Sequence, residues 1–163
     1  MVDSTKFDEY KMFIEDTARF TERRQNTSNL YVSINSLLLT AVVFVVKDLG
    51  ANTVSRLLLL LPVITAGIFV SLWWQQLIKK YKALVGFRID MLRKMEEKDG
   101  LVGIEKMYHE EDKLYPRDAQ GNMIKGKELN FSDLEARLPN LFIVLYSFSG
   151  LVVILNLLYY LSK

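Results

Sequence analysis

The chain has 163 residues, half of them apolar and a quarter charged, with 21 Lys+Arg against 19 Asp+Glu. The absence of cysteine excludes a disulfide framework, a thiolate nucleophile and a Cys-ligated metal, and one histidine, His109, excludes a His-rich metal site within one subunit. No charge falls in residues 25–46, 57–78 or 139–162; as helix at about 1.5 Å per residue each gap matches the hydrocarbon core of a bilayer, which excludes an ordinary soluble globule.

The opening MVDSTKFDEY carries acids where a signal peptide needs a basic n-region, so no cleavage is expected. From Ser4, a suitable cap, apolar residues such as Phe7, Tyr10, Phe13, Ile14 and Phe20 recur at helical spacing among charges. This predicts an amphipathic helix over 1–28, with a kink at QNTSN, leading into a first span over 29–46. KDLGANTVSR is a short reversal.

A second span over 57–78 carries Pro62 one turn from its start, where a missing N–H costs least. It ends in Trp73 and Trp74, and indole rings favour the headgroup level, so both are expected to mark the exit from the membrane. The helical pattern continues without a breaker to Asp99-Gly100, with seven cations from Lys79 to Lys98 alternating with apolar residues. Residues 101–138 change character: GIEKMYHEEDKLY reads as a short acidic helix and PRDAQGNMIKGKE as a loop or hairpin. A last helix then meets Pro139 and forms a third span over 139–161. The region 79–138 is thus a helical extension outside the bilayer.

With three spans, the N-terminal arm and residues 79–138 share a side that collects 18 of the 21 cations. The positive-inside rule places that side in the cytoplasm and the C-terminus in the periplasm of a bacterial inner membrane. The acids there nearly balance the cations, so direct nucleic-acid binding is not expected.

No catalytic or cofactor pattern emerges. An Arg-x4–6-His nuclease motif is absent, the nearest arginine before His109 being Arg93, and no phosphate-loop, dinucleotide, HExxH or GxSxG signature occurs. His109 and Glu110, Glu111 and Asp112 point in different directions along a helix and read as solvated charge rather than a metal site. The expectation is a protein that is not an enzyme and needs no cofactor.

The first span is more informative. At about 100° per residue, Gln25, Asn29, Ser33, Ser36 and Thr40, flanked by Glu22 and Lys47, fall near one direction. A polar stripe facing lipid is costly, so it faces other helices or water. Helix packing through small hydroxyl residues and a water-lined pore both satisfy it. Asn35 lies off the stripe and is assigned to an interhelical hydrogen bond. Gly67 and Ser71 form a small-xxx-small pair for close contact, and Ser149 and Asn156 are packing residues of the third span. Arg23 and Arg24 end the arm near the membrane and Glu135 precedes the third span, so an arginine–carboxylate pair is expected there, against the alternative that the arginines contact lipid headgroups.

Tyr10-Lys11, Arg23-Arg24 followed by Asn29, Ile34-Asn35, the segment WWQQLIKKYKALVGFRIDMLRKMEE and the closing LEARLPNLFIVLYS together resemble the RipA-like family of small bacterial inner-membrane proteins, described as octameric. The sequence departs from that pattern in 97–116. The plan is also similar to the membrane pore accessory protein of type VI-B CRISPR systems. The resemblance implies an all-α ring, a homo-octamer acting as a pore in stress or antiviral defence. Eight helices about 9–10 Å apart give a ring of roughly 13 Å radius to the helix axes, and subtracting a helix radius near 5 Å leaves room for hydrated ions. Such a hole demands gating from the cytoplasmic side by a protein partner or signal. The alternative is a non-conducting membrane scaffold that recruits a cytoplasmic partner.

Overall fold

The computed structural model describes residues 4–47, 53–97, 101, 103, 105–113 and 135–162. Four helices account for nearly all of them: α1, Ser4–Lys47; α2, Thr53–Glu96; α3, Met107–Lys113; and α4, Leu138–Leu161. No strand occurs among the described residues. The helix is unbroken through QNTSN, where the sequence predicts a kink; Asn and Ser have mediocre helix propensity, but the lost fraction of a kcal/mol per residue is small beside the rest of a 44-residue helix. The expected 47–56 reversal lies partly, and the 116–128 loop or hairpin wholly, outside the described residues.

α2 also starts earlier than the charge pattern indicates. Its first residue is Thr53, so Pro62 is an interior residue rather than part of the first turn. Pro has no N–H, which leaves the Leu58 carbonyl without its i+4 donor. Pro139, by contrast, stands in the first turn of α4, where proline is favoured.

The chain divides into two units. One comprises Met1–Gln25 and Lys80–Leu134, and its core is Tyr10, Leu92, Met95 and Leu101, with Phe13, Ile14 and Tyr108 packed against it. In the same unit Arg88 is paired with Asp16 and lies over the Phe20 ring, 4.5 Å from its centroid. Gly103 adopts φ +95°, a left-handed backbone that glycine reaches without the penalty of a side chain.

The other unit comprises Asn26–Lys79 and Glu135–Lys163. Its core is Leu60, Ile64, Tyr146 and Val153, surrounded by side chains of all three long helices, including Leu38, Val42, Leu61, Ile68 and Phe142. α1, α2 and α4 are each long and apolar enough to cross a membrane. Large apolar side chains such as Leu37 and Phe148 stay exposed, as residues facing hydrocarbon do and as a water-soluble surface rarely allows.

Candidate functional site

Two polar lines run along α1, and the structure treats them oppositely. Tyr10, Thr17, Ser28 and Asn35 are buried. Gln25, Asn29, Ser33, Ser36 and Thr40, with Glu22 and Lys47 at the ends, are all exposed. On an ideal helix the two lines are about 110° apart.

The buried line makes the contacts within the protomer. Asn35, fully buried, donates from Nδ2 to the Tyr31 carbonyl of its own helix at 2.9 Å. Its Oδ1 lies 3.0 Å from Ser71 Oγ, which is also 2.8 Å from the Gly67 carbonyl, so one hydroxyl proton serves two acceptors. Tyr146 of α4, also fully buried, donates its hydroxyl to the Asn35 carbonyl at 3.1 Å. Its ring occupies the space a side chain at Gly67 would need: a Cβ there would lie 2.6 Å from Tyr146 Cε1 and Cε2. Asn35, Gly67, Ser71 and Tyr146 thus join three helices in one knot, and the polar groups satisfy each other where no water is available.

One turn on, Trp74 stacks on Tyr31, centroids 5.8 Å apart and planes within 6°, and tilts against Phe142 at 6.0 Å. Only Trp73 of the tryptophan pair is exposed. The expectation that both rings mark the membrane surface is therefore corrected for Trp74: successive side chains on a helix diverge by about 100°, and the second ring is core. Among the described residues its indole N–H finds no hydrogen-bond partner, so the ring contributes by area and stacking.

The exposed line makes no such knot. Ser33 donates to the Asn29 carbonyl and Thr40 to the Ser36 carbonyl, each four residues back on α1. These bonds hide the hydroxyl protons but leave the oxygens and the Asn29 and Gln25 amides facing outward. Ser149 and Asn156 likewise bond carbonyls of their own helix, Leu145 and Val152, and Asn156 is exposed. Arg23 and Arg24 belong to one unit and Glu135 to the other; within its unit Glu135 accepts from Ser28 Oγ.

The first unit contains a cluster that sequence reading missed. Glu96, 4% exposed, receives four hydrogen bonds: Tyr10 Oη at 2.7 Å and Tyr108 N at 3.0 Å on Oε1, His109 N at 3.2 Å and His109 Nδ1 at 2.7 Å on Oε2. His109 Nε2 lies 3.2 Å from Glu97 Oε1. His109 is therefore not merely solvated charge. A signal existed: Glu96 falls at the next apolar position of the series Leu92, Met95, Glu96 on α2. Burial pushes the Glu96 carboxyl up, but bonds from His109, the Tyr108 amide, Tyr10 and the His109 amide together hold it below the usual range. The Glu96 and Glu97 carboxylates raise the His109 imidazole. Among the described residues no group of three His, Asp or Glu side chains is arranged to hold a metal ion.

Three membrane-length apolar helices tied by a buried polar knot define a multi-span helical membrane protein. The family model described as the octameric membrane protein family (8xMP) matches residues 7–156, and the chain belongs to that family. No curated protein and no solved structure matches it.

Proposed function

We propose that eight copies assemble in a bacterial inner membrane as an ion-conducting pore without enzymatic activity, its wall formed by the exposed line Gln25, Asn29, Ser33, Ser36 and Thr40. The single observation that carries this reading is the outward direction of that line. The protomer already satisfies its own packing with the other line, so polar side chains at membrane depth are left over, and in hydrocarbon they require water or another protomer. Membership of an octameric family supplies the other protomers. A ring of eight α1 helices turns one weak stripe per chain into a continuous polar wall. Gating from the cytoplasmic side and a role in stress or antiviral defence extend the same reading, through the resemblance to defence-associated pores.

The test is ion flux through liposomes containing the purified protein and its Ser33→Leu/Ser36→Leu/Thr40→Leu triple variant. An apolar lining raises the cost of wetting the constriction, so flux falls to the protein-free background while the oligomer persists. Unchanged flux refutes this lining. A wild-type oligomer that never conducts refutes the pore and leaves the non-conducting scaffold; a variant that no longer assembles makes the line a subunit contact.

A further inference from the structure

The geometry points to a proton-operated latch: His109, clamped between Glu96 and Glu97, docks α3 while its ring carries both protons and releases it when one is lost. The argument begins with the ring's two nitrogens. Nδ1 is 2.7 Å from Glu96 Oε2 and Nε2 is 3.2 Å from Glu97 Oε1. A neutral imidazole has one N–H and one lone pair, so one carboxylate would face a lone pair. Only the imidazolium donates to both.

Glu96 supplies the reason the ring matters. Its side chain is 2% exposed, and a buried carboxylate is costly unless a cation and hydrogen bonds compensate it. Among the described residues, the other donors it receives, the Tyr10 hydroxyl from α1 and the Tyr108 and His109 amides from α3, are neutral. Arg93 of α2 directs Nε to the Tyr108 carbonyl at 3.2 Å and Nη1 toward Asp90. Lys6 and Glu9 of α1 border Met95 and Leu101 beside the cluster, and Glu111 acts on the Tyr108 hydroxyl. Loss of the ring proton removes the charge bonded to Glu96 and sets a lone pair against Glu97.

His109 is the member of the cluster whose ordinary value lies nearest neutral pH. Burial and then the bond to Glu96 raise the Tyr10 hydroxyl, so it remains a donor throughout, and the Glu96 carboxyl, held below the usual carboxylate range by its donors, remains an acceptor. The sign follows from the direction for His109, which docking raises. The latch is strongest below the free imidazole value of about 6.5 and weakens as pH rises through the ring's raised value. The latch stands independently of whether the spans conduct.

The chain's single histidine makes the experiment direct. His109 is titrated by NMR in the full-length protein with labelled histidine, and hydrogen-exchange protection of residues 107–113, corrected for intrinsic rates, is followed from about pH 5.5 to about pH 9 on the same sample. Linkage fixes the relation: each unit by which docking raises the ring is about tenfold in the closing constant. The expected fall in protection across the range is therefore ten to the power of the shift that NMR measures. Glu97→Gln reduces both quantities together, and His109→Gln abolishes the pH dependence and leaves 107–113 in the low-protection state. Should Glu97→Gln fail to fold, His109→Gln alone decides. Protection that does not change with pH, or that changes equally in His109→Gln, overturns the proposal.

Discussion

Gly67→Ala tests the knot that joins the three long helices. Ordinary carbon contacts are about 3.5–4.0 Å, whereas the new Cβ would lie 2.6 Å from two Tyr146 ring atoms, so about 1 Å must open. The ring has little freedom, being fully buried and tied by its hydroxyl to the Asn35 carbonyl. Either the ring swings and the hydrogen bond is lost, about 1 kcal/mol, or α4 moves away from α2, and overpacking of this kind costs about 1–3 kcal/mol. Alanine regains up to about 1 kcal/mol of helix propensity, which leaves a net effect between about zero and a loss of about 2 kcal/mol. Gly86→Ala in the same helix is the internal control: nothing lies within 4 Å of its added Cβ, so it should be neutral or stabilising by up to about 1 kcal/mol. Equilibrium unfolding in mixed micelles reads both. If Gly67→Ala stabilises as Gly86→Ala does, the Tyr146 ring does not rest on Gly67 and the knot is wrong.

Removing the Asn35–Ser71 contact in a double-mutant cycle with Asn35→Ala and Ser71→Ala should give a coupling of about 0.6 kcal/mol, with about 1.7 kcal/mol as the ceiling known for such bonds in membranes; zero coupling would mean that the Ser71 proton belongs wholly to the Gly67 carbonyl. Reporter fusions check orientation: a periplasmic reporter at the C-terminus should be active and one inserted at Asn122 inactive, and the reverse pattern would refute the inside assignment of the 18 cations.

The three spans were legible because hydrocarbon tolerates no charge, and that rule leaves gaps visible without any knowledge of packing. The face of α1 that the protomer uses was harder to read. Asn35 and Ser36 are neighbours of similar polarity, yet one is fully buried and the other exposed; helical phase separates Asn35 from the stripe, but its partners Ser71 and Tyr146 lie on other helices. Trp73 and Trp74 pose the same problem. Glu96 was hidden for another reason: in RKMEEK it is indistinguishable in type from Glu97, and His109, thirteen residues on, belongs to a different helix. The immediate neighbours of His109 on α3 give no hint of its partner, which comes from α2.

The unbroken α1 imposes a rule of arithmetic on the gene. Because the helix passes through residues 29–32 without interruption, every residue added or removed there turns all that follows by about 100° relative to Ser28, which is bonded to Glu135. A one-residue deletion would carry the line of Ser33, Ser36 and Thr40 to within about 15° of the direction of Ser28, and would swing Asn35 away from Ser71. Insertions of about seven, eleven or eighteen residues nearly restore the phase. Length variation in this segment among relatives should therefore come in whole turns, so that a reading frame preserved by a three-nucleotide change would still lose the fold.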